Sequence, residues 1–357
     1  MKLKKSSKVI HLTLLVLLFF LFSNLTYLQI IFLNKAYAYA YHEGSSTLKR
    51  SSAGATGFLL KTSRNIGGEI RIQTWEKDEV LVEYVKKAKA DTKNEAREFS
   101  EMIEFDLNKT DDIITLEVST PRHAPWQGTD KSVRVYLDIF IPKDFKLTCE
   151  SRYFDYDISG PLKNVQIESN YGKIHVEEVQ GETNIETSYG GVEAKNLSGG
   201  VNIETSYGPI FLTDVDTQNK TAFLETVYDK IDIIRVKGNI KARTNYSPIL
   251  ATSLELVEGA SSFETVYNKI DLKIEELKDC DLYVENTHGN VYLELPSDVS
   301  AEISFSIDPG GRIETSKVPI LVESIDNTSL EGVIGEGDSK IEVIVGGIGK
   351  IHMVSYK

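Results

Sequence analysis

Tyrosine returns along the second half of the chain at Tyr153, Tyr171, Tyr189, Tyr207, Tyr228, Tyr246 and Tyr267, always 18 or 21 residues apart, and His288 stands 21 residues further on. A period of this length is that of a solenoid, in which each repeat is one turn of the chain and cannot bury its apolar face without its neighbours. Four residues before each tyrosine comes an apolar position (Ile167, Ile185, Ile203, Leu224), and three and five residues after it come two more (Ile174, Val192, Ile210 and Val176, Ala194, Leu212). Each side of the tyrosine therefore alternates with period two, as half-buried strands do.

Gly, Asp, Asn or Ser usually follows the tyrosine, among them Gly172, Gly190, Gly208 and Asn268, where the chain must bend and positive φ is often needed. One repeat reads strand, corner, strand, corner. The expected fold is all-β: a single-stranded β-helix of about eight rungs over residues 149–295. The period and the β-branched content exclude helical repeats.

Before the repeats, residues 57–148 read as a β-rich cap: GGEIRIQTWEKDEVLVEYVKKAKA as two strands about a turn, VRVYLDIFIPKDFKLTC as two more. DTKNEAREFSEMIEF between them suits a short amphipathic helix with Ala96, Phe99 and Met102/Ile103 on one face. Such a cap covers strand edges that would otherwise recruit other chains. Residues 296–357 supply closing strands around an irregular insert, and residues 41–56 read as a linker.

The first forty residues hold Lys2, Lys4, Lys5, Lys8 and Lys35, no Asp or Glu, an apolar run from Val9 to Leu33, and then Ala36, Ala38 and Ala40. This is the make-up of a secretory signal cleaved after Ala38 or Ala40; the alternative is a retained anchor through residues 9–33, a run long enough to span a bilayer. The remainder carries 35 basic against 53 acidic side chains, a net charge of −18, which repels nucleic acid.

The leading GGEIRI with W.KDEVLVE, the V.V.L.IFIPKDF entry into the repeats, the I.T.YG.I units and the closing GDSKIEVIVGGIGKIHM together resemble the putative-adhesin β-helix family of bacterial envelope proteins, a DUF4097-like domain of unknown function. The resemblance covers roughly residues 57 to 355. It implies a β-helix fold and export, and it carries no catalytic residues.

Three features are candidates for function. The tyrosine column is a structural ladder along a corner, or else a strip of rings for sugar faces. Three residues before it stands an outward acidic column that includes Glu186 and Glu204 and is interrupted by Arg243. Stacked like charges destabilise, so this column calls for screening, a cation or interleaved bases, with Lys173, Lys230 and Lys269 as neighbours. The turn-rich loop TPRHAPWQGTD offers Arg122, His123 and Trp126 as further binding candidates.

No catalytic constellation is present: the histidines are dispersed, there is no HExxH or GxSxG, and the repeated carboxylates single out no pair. GGIGKIH lacks the residues of a phosphate loop and reads as a strand turn. No metal or cofactor is implied. Cys149 and Cys280 fall about seven rungs apart, roughly 30 Å at strand spacing, too far for a disulfide, and are expected as free, buried thiols.

The sequence thus reads as an exported, adhesin-like, non-catalytic binding or scaffold module of the cell envelope, whose partner is a surface glycan or an envelope protein. The alternatives are a polysaccharide-active β-helix enzyme and a tethered structural or regulatory envelope protein.

Overall fold

The computed structural model describes residues 39–356. The leader or anchor expected over residues 1–40 lies, apart from Tyr39 and Ala40, outside the described residues.

The repeats stack as parallel strands in the register the tyrosine spacing dictates. Ahead of the tyrosines, Cys149, Ile167, Ile185, Ile203, Leu224, Ala242, Phe263 and Val284 lie side by side in one inward column. Behind them, Tyr156 leads to Ile174 and Val192 in a second, and Ile158 leads to Val176, Ala194 and Leu212 in a third. All of these are buried, most of them completely. Each buried Ile, Leu or Val contributes about 1.5–3 kcal/mol, which is how turns too short to fold alone become stable together.

The strand after the tyrosine bends once more at a single left-handed residue seven positions on: Gly160, Glu178, Asn196, Asp214, Arg235 and Ser253 all have positive φ. Beyond this kink a fourth apolar column, Leu162, Val179, Leu197, Val215, Val236 and Leu254, closes a short third side. Repeats of 21 residues house their extra residues opposite the tyrosine corner, as exposed stretches within the strands Ile210–Glu225 and Ile249–Tyr267, such as Gln218–Lys220 and Glu258–Ala260.

The stack extends beyond the eight repeats at both ends, and at both ends the chain leaves sequential order. Gly57–Thr62 and Gly67–Trp75 form a rung directly against the first repeat, and Ile113–Ser119 with Ser132–Pro142 form another beyond it. The chain lays down the inner rung first, travels outward, then crosses back to begin the repeats. At the carboxyl end Ala301–Ile307 and Arg312–Ser316 form the outermost rung. Ser339–Val345 and Lys350–Tyr356 then return to fill the gap between that rung and the eighth repeat. The region expected as a cap therefore supplies solenoid rungs as well. Antiparallel hairpins finish the ends: Glu104–Thr110 on Ile113–Ser119, and Ile320–Ile325 on Ser329–Ile334.

Residues 41–56, expected as a linker, are instead mostly strand: Ala40–Ser51 pairs antiparallel with Glu79–Ala90 along its whole length. YHEGSSTLKRS has no apolar alternation, because the strand is held by backbone bonds to a sheet edge and buries little. The helix expected in this region spans Lys93–Glu101; Thr92 caps it by accepting from the Glu95 amide at 3.2 Å, and it buries Ala96 and Phe99. Ile103 is buried just beyond it, whereas Met102 is exposed.

Candidate binding groove beside the tyrosine corner

The repeated corner sequence Ile-Glu-Thr-Ser-Tyr-Gly is a set of fixed assignments. In residues 203–208, Ile203 points into the core, Glu204 points out, and Thr205 points in again at 6% exposure. The Thr205 hydroxyl accepts from the Gly208 amide at 3.2 Å and donates to the Gly190 carbonyl of the preceding rung, also at 3.2 Å. Thr226, Thr244 and Thr265 donate in the same way to Gly208, Asp229 and Ser247, and Asn286 donates its amide to Asn268. This buried hydroxyl ladder is a functional column that the apolar pattern does not reveal; the signal was a polar residue recurring two places before each tyrosine. Thr205→Val keeps the shape but strands the Gly208 amide and the Gly190 carbonyl. It is expected to cost about 2 kcal/mol in urea unfolding.

The glycines after the tyrosines serve a purpose other than the one expected. Gly172 and Asn268 have positive φ, but Gly190, Gly208 and Gly289 do not. What these three need is absence of a side chain: a Cβ on Gly208 would lie 1.9 Å from the Gly190 carbonyl oxygen, and one on Gly190 2.0 Å from that of Gly172.

Since threonine takes the inward place, the tyrosine is turned out onto the corner. The seven rings are 36–51% exposed and stack nearly parallel, with centroids 4.7–5.5 Å apart and His288 continuing the stack at 5.3 Å from Tyr267. Their faces are covered by one another, so only ring edges and hydroxyls are presented outward. Sugar faces cannot lie on them.

The acidic column stands in register as expected, Glu150, Glu168, Glu186, Glu204, Glu225, Arg243, Glu264 and Glu285. The screening is not as expected. Lys230 and Lys269 pair with Asp232 at 3.2 Å and Asp271 at 2.8 Å on the other side of the corner, and among the described residues Arg243 forms no ion pair. Lys61 meets Glu150 at 3.2 Å. Tyr283 donates to Glu285 at 2.6 Å, a hydrogen bond that raises the phenol's pKa, helped by burial. Glu168, Glu186, Glu204 and Glu225 have no cationic partner among the described residues. Some carboxylates elsewhere do have a cationic partner: Arg235 holds Asp214 below the usual carboxylate range.

Along the acidic column, on the amino side of the tyrosine corner, runs a groove of about 920 Å³ that none of the stacked tyrosines lines. Its wall is Glu150, Glu168, Glu186, Glu204 and Glu225, its floor the hydroxyl ladder and Ser188 and Ser206, and its amino end carries Lys61, Arg64 and Arg152. Glu186 and Glu204 are thus brought together on one groove, next to Thr187, Ser188, Thr205 and Ser206. Of the loop residues, Arg122 and Trp126 line a second cavity of about 840 Å³ at the amino end of the molecule, with Arg64, Arg152 and Tyr153, while His123 is exposed there and lines neither cavity. Trp126 is 6% exposed, donates its indole N–H to the Asn65 carbonyl at 2.9 Å and packs against Phe99, so it anchors the end of the core.

Cys149 and Cys280 are free and buried, and burial pushes both thiols up in pKa. Neither is expected to react with a thiol reagent in the native protein, and both are expected to react within minutes in denaturant. Among the described residues no three His, Cys, Asp or Glu side chains converge to hold a metal ion. Nor is any helix long and apolar enough to cross a membrane.

Comparison with solved structures finds proteins similar along most of the chain. A crystal structure named as a putative cell adhesion protein from Clostridium sporogenes is 10% identical, covers 88% of this chain and 100% of its own, and has a TM-score of 0.24. Putative adhesins from Bacteroides fragilis and Parabacteroides merdae are 10% and 12% identical. They cover 87% and 88% of this chain and 97% and 96% of their own, with TM-scores of 0.29 and 0.31. No curated protein matches the chain. Residues 64–346, which include all eight repeats and both rungs at the carboxyl end up to Gly346, match the family described as Toastrack DUF4097. The chain belongs to that family.

Proposed function

We propose that the protein is an exported, adhesin-like recognition module of the cell envelope, without catalytic activity, whose binding surface is the corner groove. The observation that carries this reading is the row of four carboxylates, Glu168, Glu186, Glu204 and Glu225, that repeat at rung spacing without a cationic partner among the described residues, next to a line of hydroxyls on the amino side of the tyrosine corner. Such a surface offers hydrogen-bond acceptors at regular intervals and no apolar pocket. It suits an extended polymer rich in donors, a surface glycan with amino and hydroxyl groups. Repetition also argues against chemistry, since a glycosidase needs one carboxylate pair at a defined separation, and here every pair is equivalent. Export rests on the basic, apolar and small-residue order of the first forty residues.

The test is an array of amino-bearing and neutral glycans, with lysine-rich peptides alongside, probed with residues 39–357. Starting at Tyr39 keeps the strand Ala40–Ser51 whole. Saturable binding is expected to fall at least about tenfold in Glu186→Gln/Glu204→Gln, a variant that should be more stable than its parent by a few tenths of a kcal/mol because like charges are removed. Absence of binding by the folded protein would sink the reading, and capture of the peptides alone would move it to a protein partner. Release of reducing or unsaturated sugars would establish the enzyme instead.

A further inference from the structure

The two ends of the solenoid are finished differently. At the amino end the helix Lys93–Glu101 and the Trp126 loop close the core, burying Ala96, Phe99 and Trp126 under a charged surface. At the carboxyl end nothing comparable is present among the described residues. Every exposed Leu, Val or Ile of the described chain lies there: Leu321 at 73%, Val322 at 47%, Ile325 at 69% and Ile348 at 85%. Val322 and Ile325 line a cleft of about 860 Å³ between the last strand of one side, Arg312–Ser316, and the hairpin strand Ile320–Ile325, together with Ile313, Val318 and Leu330; Leu321, between Ile320 and Val322, lies outside it. Ile348 lies at its mouth beside Gly310, in the place that tyrosine holds in the repeats. Both bordering strands pair on one side only.

We propose that this end is a homodimer interface in which two copies meet tail to tail about a two-fold axis, each placing its Leu321, Val322 and Ile325 against the other's cleft. The inference is independent of the groove. An exposed aliphatic cluster confined to one end of an otherwise polar surface marks a contact, and a solenoid end needs a cover to stay soluble. The apolar run Val9–Leu33 is attached at the opposite end. It stops six residues before Tyr39, a reach of about 20 Å, whereas the second sheet has thirteen strand intervals from Ala40–Ser51 to Arg312–Ser316, roughly 60 Å. A head-to-tail contact would set this cluster on the closed, charged amino end.

A second copy supplies what is missing. One lip of the cleft carries Arg312, beside a Glu314 already paired with Lys350, and the other Asp326, so a two-fold axis that sets one lip against the other brings opposite charges together. The bulge between Val322 and Ser324 interrupts the hairpin edge, so side chains docking in the cleft, more than a long backbone ladder, make the contact.

Light scattering and sedimentation equilibrium on residues 39–357 test this. The expected result is a doubling of mass with a dissociation constant in the micromolar range, as befits a small interface. Leu321→Lys/Ile325→Lys should return the monomer with an unchanged circular-dichroism spectrum, since both side chains are exposed, while Tyr207→Ala should leave the dimer intact. Leu321→Cys should form an intermolecular disulfide on oxidation. A protein that stays monomeric at about 100 µM, or a dimer indifferent to the lysine substitutions, overturns the proposal.

Discussion

A chain stopped after Asp338 is expected to lose its carboxyl end as a folded unit while keeping its amino-terminal rungs. The missing segment is an interior rung: Ser339–Val345 and Lys350–Tyr356 lie between the eighth repeat and the outermost rung and bond to both. Ile341, Val343, Val345, Ile351 and Met353 are at most 1% exposed. At about 1.5–3 kcal/mol for each side chain, the loss is roughly 8–15 kcal/mol, the whole net stability of an ordinary domain. The outermost rung then has no parallel neighbour. Because a solenoid holds together through adjacent turns, damage at one end need not propagate to the other. Limited proteolysis should trim the truncated protein back to near Pro296, and hydrogen exchange should find the rungs around Ile185 and Ile203 still protected. Complete unfolding would show instead that all rungs form one cooperative unit.

Gly208→Ala is expected to be among the most damaging single methyl additions in the repeats, at about 3–4 kcal/mol. The new Cβ would fall 1.9 Å from the Gly190 oxygen and 2.4 Å from its carbon. Both atoms are backbone, so relief requires parting the two rungs at a corner that the Thr205 hydroxyl and the stacked Tyr189 and Tyr207 rings, 4.8 Å apart, hold closed. Ser247→Ala, in the same column, gives the scale. There the chain already carries a Cβ, and the change removes one hydroxyl bond to the Tyr228 carbonyl, worth less than about 1 kcal/mol. Equal midpoints for the two variants in chemical unfolding would refute this account of the glycines.

The parts of the fold legible in the sequence are those where one physical rule repeats. The inward columns could be aligned residue by residue because alternation and period recur eight times, and the same alignment separated Cys149 from Cys280. Where the chain departs from sequential order the signal vanishes. Nothing in GGEIRIQTW says that it lies inside VRVYLDIFIP, because strand pairing between distant segments leaves no local mark. Ala40–Ser51 was illegible because its role is to pair a backbone edge. At the candidate site the glutamates were visible as a column, but their lack of partners was not, since Lys230 and Lys269 lie close in sequence and point to the other side of the corner. Trp126 looked like a loop residue for binding because loop composition does not disclose a buried indole.

The placing of the extra residues opposite the tyrosine corner has a consequence for how such a molecule can vary. The corner keeps one geometry while the far side absorbs insertions, so length changes come in whole turns. Removing Gly190 through Tyr207 would join Tyr189 to Gly208 and restore the same corner sequence, Glu-Thr-Ser-Tyr-Gly, across the junction. The shortened protein would have the same two ends and stand one strand spacing lower, about 4.8 Å. The solenoid is in this sense a ruler with a fixed graduation, and its height is a quantity that duplication or loss of a single exon-sized unit could adjust without redesigning anything else.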